Sequence, residues 1–464
     1  MKTICLNIVM GLGLGTFFST EVIYQPTLNL SNKAWASVPV FDASTESFDR
    51  NPNTFAPSTN NHIVSTINQT FDKNYVLNDL DNKISDDFKI PPDLRERVSF
   101  WFDIYTKYSA QEEVIHHANY PWIVFRIVDL RPILESDGNK WVKYHKSKKF
   151  SKIQRQDVSN ILTRLSKKKS FTKLSPDEQD IHQALLQIPG KNRQKIALNA
   201  LRNLRTQVGQ KDFILKGLES SSLYIPELEK VFAEKNLPLE LTRLPFVESS
   251  FNVDAVSKVG ASGIWQVMPY IGRKLLIMNN AVDERNSPVK AASSAAFILK
   301  QNKQILKNWP LALTAYNHGV GSLNTAVKKT GSRELTFLIK NYKAKSFGFA
   351  SQNFFSSFLA VLHAEKYRAQ IYDTVIPLSP LKFRELKLTK AVKLKELLKF
   401  TGMSKDGFQK YNLDIKDDAF KRNMSIPRGY IVHIPDTIVT EFLSKKQKFG
   451  KLIEDSSTIE SRIN

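Results

Sequence analysis

One carboxylate, Glu248, stands in an apolar stretch of a strongly basic chain. The stretch reads RLPFVESSFN (243–252), and the whole chain of 464 residues has a formal net charge of +22. Intervals of four, three and four residues keep side chains on one helix face, and here they link Leu237, Leu241, Leu244 and Glu248. We therefore predict a helix from about 238 to 249 that opens at Pro238, kinks at Pro245 and buries Glu248.

A buried glutamic acid can donate a proton at neutral pH. An ordinary Glu with a pKa of about 4.3 is only about 0.2% protonated at pH 7. Desolvation raises the pKa, and a value of about 6 would leave roughly a tenth of the molecules protonated. The burial predicted for Glu248 therefore suits a general acid.

Downstream, the segment SKVGASGIWQVMP (257–269) combines a small-residue loop with apolar and amide side chains. The glycines allow a bulky ligand to approach the backbone. Trp265 and Met268 add apolar surface, and Gln266 adds a hydrogen-bond donor and acceptor. Sugar rings need this mixture of apolar faces and polar groups. A glycine-rich loop alone, however, is more often only a turn.

A second cluster, LTAYNHGVG (313–321), places Tyr316 and Asn317 at the end of a predicted helix. In isolation, Tyr316 is more simply explained as a core residue. The adjacent His318 is interpreted as lining the same groove and not as a metal ligand.

A second carboxylate would be expected if the site cleaved glycosidic bonds in the ordinary way, because most such enzymes pair two acids. Asp254 is the only other acid in the stretch after Glu248, and it is interpreted as a cap or turn residue. Asp283 and Glu284 are alternatives, but a surface ion pair with Arg285 is the simpler interpretation.

The three segments together resemble a known family. Glu248-Ser249, then GASGIWQVMP, then AYNHG, in this order and at these intervals, resemble the catalytic domain of lytic transglycosylases, and most of all the membrane-bound lytic murein transglycosylase D group. The resemblance covers roughly residues 213–367. It implies an α-helical, goose-lysozyme-like fold.

The same resemblance assigns roles to individual residues. It implies Glu248 as the catalytic acid and base. It implies substrate contacts by Ser257, Gln266, Met268, Tyr316 and Asn317. Further candidates near the groove are Ser249, Trp265, His318 and Phe354. Phe354 departs from the family pattern, since ASQNF stands where members usually carry Glu-Thr-x-x-Tyr, so a hydroxyl expected near the carboxylate is missing.

The implied reaction cleaves the MurNAc–GlcNAc β-1,4 bond of peptidoglycan without water and leaves a 1,6-anhydroMurNAc end. No cofactor is required. Two alternatives remain open at this point, a hydrolytic muramidase of the lysozyme type and a catalytically weak peptidoglycan-binding scaffold. The predicted partner is the peptidoglycan glycan strand, with the cell-envelope membrane as a further partner through the N-terminus.

The predicted fold class is mainly α. A lysozyme-like helical catalytic domain follows a mostly helical N-terminal region and precedes a small βααβ module that resembles LysM but lacks its usual Gly-Asp-Thr. The predicted divisions are a signal peptide or anchor (1–36), a low-complexity linker (37–90), the N-terminal region (91–212), the catalytic domain (213–370), the LysM-like module (371–440) and a charged tail (441–464).

The start of the chain, MKTICLNIVMGLGLGTFFST, has the charged and apolar parts of a signal peptide and predicts export to the periplasm or cell envelope. The only cysteine, Cys5, excludes a disulfide framework and a cysteine-based metal site. His116 and His117 are adjacent and would point apart on a helix or a strand, so no metal site is predicted there.

The basic charge alone would also suit a nucleic acid, but no recognition motif accompanies it, so no nucleic-acid partner is predicted. Residues 140–173 hold twelve Lys/Arg and one acid, Asp157. Such a segment is either a patch for an anionic polymer or, more simply, a solvated helix face.

Overall fold

The computed structural model describes residues 71–372, 375–438 and 453–455, and it is mainly helical, as predicted. The predicted signal peptide (1–36), the first part of the predicted linker and nearly all of the predicted tail lie outside the described residues. In the part of the chain that is described, no helix is both long and apolar enough to cross a membrane.

The helices of the N-terminal part are α1 (Lys73–Leu77), α2 (Arg95–Thr106), α3 (Arg131–Leu134), α4 (Lys140–Lys167), α5 (Pro176–Leu186), α6 (Arg193–Arg202), α7 (Lys211–Ser221) and α8 (Ile225–Glu234). Those of the central part are α9 (Leu244–Ser249), α10 (Pro269–Leu275), α11 (Pro288–Leu306), α12 (Trp309–His318), α13 (Val320–Thr330), α14 (Leu335–Asn341), α15 (Phe349–Lys366) and α16 (Arg368–Ile371). The last three are α17 (Leu394–Thr401), α18 (Lys405–Tyr411) and α19 (Asp417–Lys421).

The described strands form three small antiparallel sheets. Their bounds are β1 (Glu112–His117), β2 (Val124–Asp129), β3 (Leu204–Val208), β4 (Phe383–Leu388), β5 (Val392–Lys393), β6 (Ser425–Ile426), β7 (Ile431–Pro435) and β8 (Ile453–Asp455). The strand orders are β2-β1-β3, β7-β4-β8 and β5-β6.

A single large core joins the central helices to the start of the described chain. Helix α15 lies at its centre, where α2, α9 and α12 all pack against it. Fourteen of its eighteen residues are buried and the other four are half-buried, so it has no solvent-exposed face and is a core helix rather than a surface one. The α-helical fold that the resemblance implied for this part is confirmed, and α8, α11, α12, α14 and α15 are among its helices.

The predicted boundary of the linker at residue 90 is wrong, because residues 71–90 are part of the folded structure. Residues 71–90 contain α1 and a 3-10 helix, and Phe88 and Val76 lie in the main core. Phe88 contacts Phe358 of α15 edge-to-face at 5.7 Å. The polar composition concealed these few apolar residues, which are enough to dock the segment because each faces the core.

The N-terminal region adds a sheet to the predicted helices. Helix α2 packs on α15, and a buried Arg97 of α2 donates to the Asn353 side chain at 2.8 Å. Between β2 and β3 the chain forms α3 to α6, which share a separate apolar core with the sheet. The region is therefore attached to the large central core through α2 and the sheet.

The C-terminal part has the predicted strand–helix–helix–strand order, in β4, α17, α18 and β7, with α19 and the β5-β6 pair in addition. Its core is not wholly its own, because Ala281 and Val282 of the central part belong to it. The Asp283 backbone N–H donates to the Asp414 carbonyl oxygen at 2.8 Å. The module is therefore docked on the loop between α10 and α11.

Candidate active site

The segment that carries Glu248 is two short helices instead of the single predicted one. A 3-10 helix spans Leu239–Arg243, and α9 begins at Leu244. Pro245 lies in the first turn of α9, where its missing N–H is not needed, so it starts a helix and does not kink one. Pro238 caps the 3-10 helix with an extended backbone and is not itself helical.

Helix α9 ends in an unusually sharp turn. Ser250 and Phe251 both adopt left-handed backbone angles, with φ of 52° and 56°. Their N–H groups donate back to the carbonyl oxygens of Phe246 and Pro245 at 3.1 and 3.2 Å, which satisfies the end of the helix. Left-handed angles in consecutive non-glycine residues are costly and concentrate at functional sites.

Glu248, two residues before this turn, is half-buried on α9. Desolvation raises the pKa of its carboxyl group to about 8, and no charged group of the described residues counteracts that rise. Burial raises the pKa of the Tyr316 hydroxyl well above its ordinary value, and the Glu248 charge adds to that rise. The carboxyl group and the Tyr316 ring are therefore neighbours in one poorly solvated site.

The loop 257–267 is braced by its own glutamine. Gln266 has a left-handed backbone, with φ of 47°, and its amide Nε2 donates to the carbonyl oxygens of Ala255 and Gly263 at 3.1 and 2.9 Å. The Oε1 atom is buried and has no hydrogen-bond partner among the described residues. Gln266 therefore shapes the loop from within.

Arg285 ties the same loop to the following segment. Its Nη1 donates to the carbonyl oxygens of Gly260 and Val267, at 2.6 and 3.2 Å, across the base of the loop. Its Nε and Nη2 bind both carboxylate oxygens of Asp283 at 2.9 and 2.7 Å. The pair is buried, so the predicted surface ion pair is wrong in its position. A planar guanidinium can serve all four bonds at once, which a lysine could not.

The predicted stacking of a sugar on Trp265 is wrong. The side chain is fully buried, stacks on Phe232 at a centroid distance of 5.6 Å, and donates from Nε1 to the Pro288 carbonyl oxygen at 2.9 Å. Its backbone contributes instead, since the Trp265 carbonyl oxygen accepts the Tyr316 hydroxyl at 2.9 Å. This bond joins the loop to α12.

Tyr316 and Asn317 lie half-buried at the end of α12. His318 is only 1% exposed, so it does not line an open groove as predicted. The Ser351 hydroxyl of α15 lies between the side chains of Asn317 and His318. It is 3.0 Å from His318 Nδ1 and 3.3 Å from Asn317 Oδ1. Burial lowers the pKa of His318 to about 4, so it is neutral at pH 7.

Ser351 contacts the candidate site residues Asn317 and His318, and the sequence analysis did not identify it. It sits in ASQNF, the segment in which only Phe354 drew attention. Phe354 is buried in the main core and 5% exposed. Ser351 precedes Phe354 by three residues, so on a helix it lies one turn away on the same face. This spacing could have identified Ser351 as a hydroxyl near the site.

The remaining candidates divide by exposure. Ser249 is buried, and its Oγ donates to the Ile264 carbonyl oxygen at 2.9 Å, which links α9 to the loop. Ser257 and Met268 are half-buried. Ser257 Oγ accepts the Ala261 N–H at 2.9 Å and closes the loop, and Met268 precedes α10.

His116 and His117 lie on β1, and both are buried. His116 packs against Phe100 and Phe349, whereas the His117 ring lies 3.0 Å from the Asn199 side chain. Their different neighbours show that the two rings point apart. Within residues 71–372, 375–438 and 453–455, no group of three or more His, Cys, Asp or Glu is arranged to hold a metal ion.

Comparison with known proteins places the site in a family. Residues 229–337 match the family model of the transglycosylase SLT domain. That range includes α9, the loop and α12.

Two curated relatives are each similar to about a quarter of this chain. Membrane-bound lytic murein transglycosylase D of Escherichia coli (strain K12) is 36% identical over 102 residues, which is 22% of this chain and 23% of that protein. A putative tributyltin chloride resistance protein of Alteromonas sp. (strain M-1) is 32% identical over 120 residues, 25% of this chain and 56% of that protein. The similarity thus spans about a quarter of the transglycosylase and about half of the second relative.

Proposed function

Because residues 229–337 belong to the transglycosylase SLT domain family, we propose that this protein is a peptidoglycan lytic transglycosylase. The observation that carries the proposal is the half-buried Glu248 carboxyl, whose pKa desolvation raises to about 8. At pH 7 such a group is about nine-tenths protonated. The proposed substrate is the MurNAc–GlcNAc β-1,4 bond.

In the first step Glu248 acts as a general acid. Its proton passes to the bridging oxygen, and the bond between that oxygen and C1 of MurNAc breaks. The N-acetyl oxygen of the same sugar supports the positive charge that develops at C1. The fragment that leaves carries a new GlcNAc hydroxyl group.

In the second step the ionised Glu248 acts as a base. It takes the proton of the MurNAc C6 hydroxyl, and that oxygen bonds to C1 and closes a 1,6-anhydro ring. Glu248 is protonated again, and no water is consumed. A carboxylate with a raised pKa is also the stronger base, so one environment serves both steps.

A one-carboxylate mechanism agrees with the positions of the neighbouring acids. Asp283 is held by Arg285, and Glu284 accepts the Ile277 N–H at 2.7 Å. Both acids are buried and engaged in structural bonds. Neither is available as the second carboxylate that a paired-acid glycoside hydrolase requires.

Substrate contacts are assigned by exposure. The half-buried Ser257, Met268, Tyr316 and Asn317 can touch a glycan strand. Gln266 and Ser249 support these residues from inside the loop, because Gln266 Nε2 and Ser249 Oγ already donate to backbone oxygens. The proposed site of action is the cell envelope after export, and the proposed role of the C-terminal LysM-like module is a weak additional glycan contact.

The test is product analysis on purified sacculi. The native protein is expected to release fragments with anhydroMurNAc ends, and the Glu248→Gln variant is expected to release none while it keeps its helical circular dichroism. Products that carry an added water would identify a hydrolytic muramidase instead. Native protein that binds sacculi but releases nothing would identify a binding scaffold.

A further inference from the structure

Helix α4 has an outer face that no other part of the described chain covers. Two adjacent stripes with helical spacing make up this face, and all eight of their residues are exposed: Trp141, His145, Lys148 and Lys152 in one, and Val142, Lys146, Lys149 and Ile153 in the other. We refer to these eight residues as the outer face of α4.

The fully buried apolar residues of α4 all lie in its C-terminal half. Val158, Ile161, Leu162 and Leu165 are buried there. From Lys140 to Asp157, Ser147 alone is buried. The half before Val158 is about 25 Å long, and its half-buried Phe150 packs against the same core.

The charge of the helix is strongly one-sided. It holds nine Lys/Arg and a single acid, Asp157, whose carboxylate lies 3.8 Å from Arg126. Helix α6, which packs along α4, carries three Lys/Arg and no acid. Neither helix therefore supplies a carboxylate that neutralises the outer face of α4. The positive charge of this face favours an anionic partner.

The apolar residues decide which anionic partner fits. Trp141 is 69% exposed, Ile153 48% and Val142 42%. Aliphatic side chains gain nothing from a phosphate or a sugar carboxylate, but they gain free energy at the boundary between headgroups and acyl chains. Tryptophan also favours that boundary. Lysine and tryptophan on one helix face are the pattern of an interfacial helix.

We propose that the outer face of α4 docks on the surface of an anionic phospholipid membrane. The lysines bind the headgroups, and Trp141, Val142 and Ile153 enter the interface. The helix lies in the membrane plane and does not span the bilayer. This contact is independent of the glycan site and of the apolar N-terminal segment.

The experiment measures sedimentation of the full-length protein with vesicles of phosphatidylcholine alone or with about a third phosphatidylglycerol. The triple variant Lys146→Glu, Lys149→Glu, Lys152→Glu is expected to bind the anionic vesicles about 100-fold more weakly, from the usual contribution of each lysine near an anionic leaflet. The matched control is Lys393→Glu, Lys395→Glu, Lys399→Glu, at three exposed positions of the C-terminal module with the same change of net charge. The control is expected to bind as the native protein does.

A second variant tests the apolar contact. Trp141→Ala is expected to bind more weakly and to lose the blue shift of tryptophan fluorescence that vesicles cause in the native protein. The proposal is overturned if the first triple variant binds like the native protein, or if the control loses as much affinity. It is also overturned if α4 variants weaken binding to soluble peptidoglycan fragments and not to vesicles, which would make the face a glycan surface.

Discussion

At the scale of single residues, the Glu248 carboxyl is kept uncharged by its surroundings and not by a partner. Desolvation is the sole cause of its raised pKa, and Tyr316 beside it is neutral. Such a site costs stability whenever the carboxyl ionises, because the charged form is poorly solvated. The folded protein thus retains a proton that the unfolded chain releases.

That difference predicts a pH-dependent gain from Glu248→Gln. The folded pKa of about 8 lies above the unfolded value of 4.5, so native stability falls as pH rises from about 4.5 to 8. The amide cannot ionise and avoids this loss. We expect the variant to be more stable by about 1–3 kcal/mol at pH 7. Urea unfolding measured by tryptophan fluorescence at pH 7 checks the value.

The same measurement at pH 4 is the control. At pH 4 Glu248 is largely protonated in both the folded and the unfolded state of the native protein. The native protein and the variant should therefore unfold at nearly equal urea concentrations. A gain of equal size at pH 4 would mean that the amide stabilises the site by contacts and that the pKa of Glu248 is ordinary.

The burial of this residue could be predicted from sequence, whereas the role of Trp265 could not. Glu248 follows a regularly spaced series of leucines in the chain, which is local information, although Leu244 is the only one of them on α9. The position of Trp265 depends on the Pro288 carbonyl oxygen, 23 residues away, and on Phe232 of α8. Long-range partners of this kind leave no periodicity in the chain.

At the scale of elements, the loop 257–267 is held by backbone approach as much as by side chains. Gly263 has a φ of +74°, and a Cβ there would clash with the Arg285 carbonyl oxygen. That close approach places Arg285 where its guanidinium spans the loop. The glycines of this loop were predicted to allow a ligand to approach the backbone. At Gly263 it is the backbone of Arg285 that approaches instead.

Gly263→Ala is therefore expected to displace the loop. The clash and the left-handed backbone together should cost at least about 3 kcal/mol of unfolding free energy, and activity on sacculi should fall by at least about tenfold. Gly331→Ala is the matched control. Its φ is +69°, but nothing lies within 4 Å of the added methyl group, so it should cost only about 1 kcal/mol and retain activity.

Equal losses in the two alanine variants would show that backbone strain, and not the contact with Arg285, governs the loop. Both proteins are compared by urea unfolding and by product release under one set of conditions.

At the scale of the whole molecule, a buried ion pair locks the C-terminal module to the central helices. Lys290 of α11 lies 2.7 Å from the Asp414 carboxylate and 3.6 Å from the centre of the Tyr430 ring. The Tyr430 hydroxyl donates to Asp414 at 3.0 Å. The sequence predicted the order of elements in the module, but pairing across more than a hundred residues could not be predicted from it.

Asp414→Ala should destabilise the protein by about 3–5 kcal/mol, because it removes the nearer of two carboxylates beside the buried Lys290 ammonium group and leaves only the Glu284 carboxylate, at 3.8 Å. The double variant Lys290→Met, Asp414→Leu should recover most of this loss, since apolar groups of similar volume fill the site. Urea unfolding of Lys290→Met, of Asp414→Leu and of their double variant gives the coupling between the two positions. A double variant as unstable as Asp414→Ala would show that the charges themselves specify the docking.

The order β2-β1-β3 has a topological consequence. Strands β2 and β3 both run antiparallel to β1 and are therefore parallel to each other, so the chain must cross the sheet between them. A crossover of about a dozen residues would suffice, yet 74 residues separate the end of β2 from the start of β3. Most of these 74 residues are therefore not needed for β2 and β3 to pair with β1. Their surface can consequently diverge in charge and shape without altering the register of any of the three strands.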